Sequence, residues 1–396
     1  MKGNLLFLAA LGIVAIGIYL AQDIPPYAAT TSAHFPAHRP AAATAPARLW
    51  ENGKYAFGRW TEPVHNVSFH YEDATDVTNI VKHAPSRFMT KHWHYTSVNT
   101  PDYLVAIAVV SLQYVTPTFV YLVDKKTNEK WEFGTKVPLS IGATFATSSV
   151  DPASCTTSQG VSICYRDNAW HMKAENVPVT SDRTHTTVPL SFDFTMTAGE
   201  PLILSFPLAN DPLRPAYVHK GAGNPVTGDL TFDSKRIAVP KALGAVDWTK
   251  SISLHRTEWN WVSINFVDAD DGKAIGINLS ARVYDVDGAS QENAVWVDGQ
   301  LCLLGGVTFN VPSNPVVEPW TIRSSSASSG DLLDLVFTPV GSREEKLNVL
   351  NLIRSDFVQP YGRFSGRITC TMASGETHRI RVEDAFGVVE DHFALW

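Results

Sequence analysis

"HRTEWNWVSINF", residues 255–266, is the stretch whose reading decides the fold. At the strand period of two, His255, Thr257, Trp259, Trp261, Ser263 and Asn265 share one face, and Arg256, Glu258, Asn260, Val262, Ile264 and Phe266 share the other. Neither face is purely polar. A strand in a simple sandwich has one wet and one dry side, so this one calls for neighbours on both.

The rest of the chain keeps the strand rhythm from about residue 50 onward. "YLVAIAVVSLQYV" (103–115) and "TFVYLVD" (118–124) are runs of β-branched and aromatic residues, with Thr116-Pro117 marking the turn. Later strands are punctuated by Asp271-Gly272, Asp287-Gly288, Asp298-Gly299, Ser329-Gly330 and Ser374-Gly375, dipeptides that place positive φ where tight hairpins need it. Only "REEKLNVLNLI" (343–353) is ambiguous, since propensity also allows a short helix there. Sequential antiparallel strands at this spacing predict an all-β fold of up-and-down barrels. In a two-barrel chain both faces of the 255–266 strand are enclosed, with Trp259 and Trp261 as cavity walls or barrel plugs.

Composition agrees. The chain has 396 residues, enough for two domains. Charged residues make up 18%, below the roughly 25% of typical soluble domains, and 11 Trp, 24 Pro and 25 Gly suit a turn-rich, aromatic-lined β protein. The net charge of -7 contains no basic block, which excludes nucleic acid as a partner, because phosphate neutralisation needs clustered Lys and Arg.

The organisation expected is a signal anchor or signal peptide over residues 1–22, a flexible Pro/Ala-rich stalk over 23–48, a first barrel over 49–220 and a second over 221–396. The apolar run at 5–21 is near the lower limit for spanning a hydrocarbon core of about 30 Å and longer than the core of most cleaved signals. It predicts a single-pass membrane protein with its C-terminal bulk outside the cytosol, secretion being the alternative. Cys155 and Cys164 bracket a turn-forming Ser-Gln-Gly and are a disulfide candidate, whereas Cys302 and Cys370 lie in strand-like runs and read as buried thiols.

Four ordered motifs carry a family resemblance: "KHWHYTSVNTPDYLVAIAVV" (91–110), "AVDWTKSISLHRTEWNWVSINFVDADDGKAIGINL" (245–279), "ENAVWVDGQL" (292–301), and "GRFSGRI" (362–368) followed by "VEDHFALW" (389–396). Over about residues 48–396 the chain resembles the domain of unknown function 2804 family. It is more remotely similar to the two-domain lipocalin-like carotenoid 1,2-hydratase family, through an Asp (Asp247) ahead of a Trp-x-Trp strand and an acidic hairpin. The resemblance implies tandem lipocalin-like, calycin-type barrels and an apolar, lipid or isoprenoid-like ligand.

Protonating an unactivated alkene requires an acid in a dry pocket and aromatic faces to stabilise the cation. Asp247 is the candidate donor, by its match to an acidic residue of the remote relatives and by desolvation beside Trp248. Glu258 and His255 are reserve acid or base groups. Trp259, Trp261, Trp248, Arg256 and His219 are candidate ligand contacts. Structural roles compete with each: Asp247 capping a turn after Gly244, the tryptophans as core, Glu258 paired with Arg256. His92 and His94, with His65 or His70, have weak metal-site spacing and read instead as core or surface histidines, and no cofactor fingerprint occurs. Glu390 and His392 share one face of the last strand, where Glu390 reads as half of a closing ion pair. Three functions follow: binding of an apolar small molecule, a hydratase, isomerase or cyclase acting on one, or a non-catalytic membrane-tethered interaction protein.

Overall fold

The computed structural model describes residues 44–72, 83–325, 332–349 and 353–396. The expected anchor and most of the stalk lie outside the described residues, and no described helix is long and apolar enough to cross a membrane. The fold is all-β, built on two large antiparallel sheets.

In the first sheet, Pro215–Phe232, Ala242–Ile252, Thr90–Asn99, Tyr103–Ser111, Val115–Asp124, Glu129–Pro138, Ala169–Ser181 and Thr187–Thr197 pair in that order. Thr187–Thr197 then pairs with Pro215–Phe232, so the sheet curls back on itself. The long strand Pro215–Phe232 manages this with a register shift between Gly221 and Asn224, the local kink that lets one strand change neighbours. The hairpin Cys155–Ser158 and Val161–Arg166 turns on Gln159 and Gly160, both at positive φ, and sets Cys155 opposite Cys164, where they form a disulfide.

The second sheet starts with Arg256–Val267, which lies between Ala274–Ala281 and Thr377–Leu395. It continues through Ile353–Thr371, Leu332–Val349 and Trp320–Ser324 to Val307–Asn310, and on the other flank through Ala294–Val297 to Gln300–Leu303. These two end strands do not pair with each other among the described residues. Among the described residues pairing therefore closes in the first sheet and stays open in the second, whereas strand spacing alone predicts two similar barrels. The change of sheet falls between Ile252 and Arg256, and position 220/221 lies inside a strand of the first sheet. The ambiguous segment is extended through Val349 and paired along Ile353–Thr371, because cross-strand partners outweigh its helix propensity.

The 255–266 strand has neighbours on both faces. Val262 and Ile264 are fully buried with Ile277, Leu335 and Phe364 in the core of the second sheet. Trp261, on the opposite face, packs with Tyr95, Ala108 and Val388 where the two sheets meet. Further along that face, Gly223 N donates to Asn265 Oδ1 at 2.7 Å, and Asn99 Nδ2 donates to the carbonyls of Asn265 and Phe386 at 2.6 and 2.8 Å. The continuous apolar run at 103–111 has the same cause: Val105 and Ile107 fill the inside of the first sheet, while Ala106 and Ala108 pack toward the second.

Candidate functional site

Between the sheets lies a cavity of about 200 Å³. Trp93, Tyr95 and Phe119 on the outer face of the first sheet wall one side, and Trp259, Trp261 and His392 of the second sheet wall the other. Alternation explains the choice. On Thr90–Asn99, Trp93 and Tyr95 point outward to the cavity, while His94 turns inward, its Nδ1 2.9 Å from Thr156 Oγ1 and its ring against Trp170. The cavity is thus not the lumen of the curled first sheet, whose inner face is packed with Ile107, Val120, Met172 and Phe194.

Among the charged side chains that line this cavity, Lys220 stands with Asp247 and Glu292, and Glu390 stands with Trp259 and Gln359. Lys220 Nζ lies 2.6 Å from Asp247 Oδ2 and 3.3 Å from Glu292 Oε1, and Thr249 Oγ1 donates to Asp247 Oδ1 at 2.8 Å. Burial works against the Lys220 charge, but the attraction of Asp247 and Glu292 outweighs it and holds the pKa above the usual lysine value. Burial raises Glu292. Glu390 is held differently, by neutral donors: Trp259 Nε1 at 2.9 Å and Gln359 Nε2 at 2.6 Å. Burial pushes Glu390 up to about 7 against those two hydrogen bonds, with the charge of Asp247 adding to the rise. Beside it, burial pushes His392 down to about 3, so its imidazole is neutral.

The sequence candidates divide between the two faces of their strands. Asp247, Glu258, Arg256, Trp259 and Trp261 line the cavity. Glu258 is at the rim, bridged to both Arg256 and Arg282. Trp248, Asp247's neighbour in sequence, projects from the opposite face and packs on His92 and Tyr217, so it does not desolvate Asp247. His219 is likewise turned away, its Nδ1 2.8 Å from Ser149 Oγ. His255 closes the strand end, its Nδ1 2.7 Å from the Trp396 carbonyl oxygen. Lys220, Glu292 and Tyr95 went unrecognised in the sequence, and Glu390 bonds to Trp259 and Gln359 rather than to an arginine. The available signal was a charged residue within a buried strand run, as at Lys220 in "AYVHKGAG" and Glu390 in "FGVVEDHF".

A pH dependence follows. Because Glu390 titrates at about 7 when folded, against 4.5 ordinarily, the folded state binds the proton more tightly. Its contribution to stability is greatest below pH 4.5, falls as pH rises from 4.5 to about 7, and is level above. Urea unfolding of Glu390→Gln is expected to lack this decline and to gain about 3 kcal/mol on the wild type between pH 4.5 and 8. Parallel pH profiles for the two proteins would refute the shift.

The cavity, of largely apolar surface edged by charged groups, lies between two antiparallel sheets of an all-β protein. The chain belongs to the family described as Domain of unknown function (DUF2804), whose pattern matches residues 42–396. No curated protein matches it in sequence. Among solved structures it is similar to a candidate AttH from Nitrosomonas europaea, at 11% identity and a TM-score of 0.43, covering 84% of this chain and 98% of that one. It is also similar to CghA solved with Sch210972, at 11% identity and a TM-score of 0.41, covering 76% of this chain and 88% of that one.

Proposed function

We propose that the protein binds an apolar small molecule, of lipid or isoprenoid character, in the cavity between its two sheets. The observation that carries the reading is the cavity itself, walled by Trp93, Tyr95, Phe119, Trp259, Trp261 and Trp396. Apolar contact supplies affinity in such a pocket, and the few polar groups orient the guest. A tandem lipocalin-like arrangement belongs to the same proposal and is supported by the cyclic pairing of the first sheet. So does a membrane tether through residues 1–22, which would hold the cavity near a supply of apolar molecules. The test is to purify the full-length protein, extract it with organic solvent and identify retained compounds by mass spectrometry. A stoichiometric apolar compound is expected. Clean extracts, together with no quenching of tryptophan fluorescence by lipids and isoprenoids, would overturn the reading.

One observation favours a second, catalytic reading. Glu390 is a buried carboxyl next to aromatic faces and is protonated near neutral pH. It would serve as proton donor to an alkene, with Trp259 and Trp261 facing the cation and Asp247 as the alternative donor. Conversion of the extracted compound by the wild type, lost in Glu390→Gln or Asp247→Asn, would select the enzyme.

A further inference from the structure

We infer that the guest is a neutral apolar alcohol whose hydroxyl lies between the Glu390 carboxyl and Nδ1 of His392, an assignment that rests on the ligand-binding reading above. Glu390 and His392 occupy alternate positions of Thr377–Leu395, so both side chains leave the same face, and both line the cavity. Across the sheet they stand opposite Trp261 and Trp259. Together they set a polar pair beside the aromatic rings of Trp259, Trp261 and Trp396.

His392 carries the first half of the argument. The residue is 6% exposed, its Nε2 is 2.9 Å from Ser355 Oγ, and its Nδ1 is buried without a hydrogen-bond partner among the described residues. Leaving such an atom unpaired is unfavourable, because its lost contact with water is not replaced. The ring is held edge-on against Trp259, Phe357 and Trp396, with centroids 4.1, 5.3 and 5.7 Å away. That packing keeps it from swinging toward another protein group.

Glu390 carries the second half. Its oxygens accept from Trp259 Nε1 and Gln359 Nε2, and the Tyr121 hydroxyl, donating to Gln359 Oε1 at 2.6 Å, sets which way that amide faces. Both neighbours of the carboxyl are therefore donors. Burial keeps the acid protonated up to about pH 7, and its proton needs an acceptor of its own.

A hydroxyl serves both groups in either histidine tautomer. Its oxygen accepts the carboxyl proton, and its own proton goes to Nδ1 when Nε2 carries the ring hydrogen. When Nδ1 carries that hydrogen, the second lone pair of the same oxygen accepts it. The cations that line the cavity are each paired already, Lys136 and Arg343 with Glu345, Arg256 and Arg282 with Glu258, and Lys220 with Asp247 and Glu292, so an ionised guest would bring in a charge without a counter-charge. A hydrocarbon would leave both protein groups unpaired, the situation that makes a hydroxyl-reading site discriminate.

The test titrates the full-length protein with geraniol, with the hydrocarbon myrcene and with the carboxylate geranate, following quenching of the four cavity tryptophans Trp93, Trp259, Trp261 and Trp396. Geraniol is expected to bind at least about tenfold tighter than either of the others. His392→Phe, which keeps the ring packing, should weaken geraniol about tenfold and leave myrcene unchanged. Equal binding of geraniol and myrcene, or tighter binding of geranate, overturns the assignment while leaving the ligand-binding reading intact. No quenching by any of the three overturns both. Should His392→Phe fail to fold, the wild-type ranking decides alone.

Discussion

Lys220→Met is expected to lower the free energy of unfolding at neutral pH by about 3 to 5 kcal/mol, the usual cost of removing one partner from a buried ion pair. Lys220 is 5% exposed in its side chain and holds Asp247 at 2.6 Å and Glu292 at 3.3 Å, themselves 18% and 3% exposed. Methionine fills a similar volume but leaves two largely buried carboxyls without their counter-charge. One must take up a proton or drag in water, and either is costly. The loss should shrink at pH 5, where protonation of Glu292, already raised by burial, comes more easily. Adding Glu292→Gln to Lys220→Met should recover part of the stability, since only one carboxyl then lacks a counter-charge. A loss below about 1 kcal/mol in urea unfolding, the value of a solvated surface pair, would mean the three groups do not share a buried site.

Gly276→Val is expected to cost about 3 kcal/mol or more, at the upper end of overpacking penalties. A Cβ on Gly276 would stand 2.1 Å from the Ala222 carbonyl carbon and 2.2 Å from Gly223 N. Those are backbone atoms of the first sheet, and they cannot step aside as a flexible side chain would. Gly223 has φ +69, and a Cβ there would lie 2.7 Å from Gly276 N. This glycine-on-glycine contact is where the register shift of Pro215–Phe232 meets Ala274–Ala281, next to the Gly223–Asn265 hydrogen bond. Separating the backbones would widen the gap between the sheets and deform the cavity, so tryptophan quenching by a bound guest should weaken in parallel. Gly272→Ala is the control: at φ +75 with nothing within 4 Å, it should cost only about 1 kcal/mol of backbone strain. Similar losses in the two variants would place the sheets further apart than described.

Much of the fold was legible residue by residue. The two-sided character of 255–266 correctly demanded two sets of neighbours. The dipeptides Asp287-Gly288 and Asp298-Gly299 sit at φ 51 and 79, and at φ 49 and 79, as tight hairpins require. The site was harder. Trp259, Trp261 and Asp247 are legible as cavity residues, whereas Trp93 and Trp396 are not, and Trp248 lies on the face opposite Asp247 because adjacent residues of a strand point apart. His219 looked like a site residue because it is polar in an apolar run, but it serves the interior of the first sheet. Lys220, one position on, is the residue that reaches the cavity.

Strand positions, the Asp-Gly hairpin turns and the Cys155–Cys164 bridge could be read from the order of amino acids because each depends on near neighbours in the chain; Thr116-Pro117 is not a turn but part of Val115–Asp124, the chain reversing at Gln113 with φ 74. The composition of the cavity could not. Lys220, Asp247, Glu292, Gln359 and Glu390 come from five separate segments and meet only because of strand order and the packing of one sheet on another. A period of two tells which side chains share a face; it carries no information about which face of another sheet lies opposite, and that distant choice created the polar cluster, its perturbed carboxyls and the space between them.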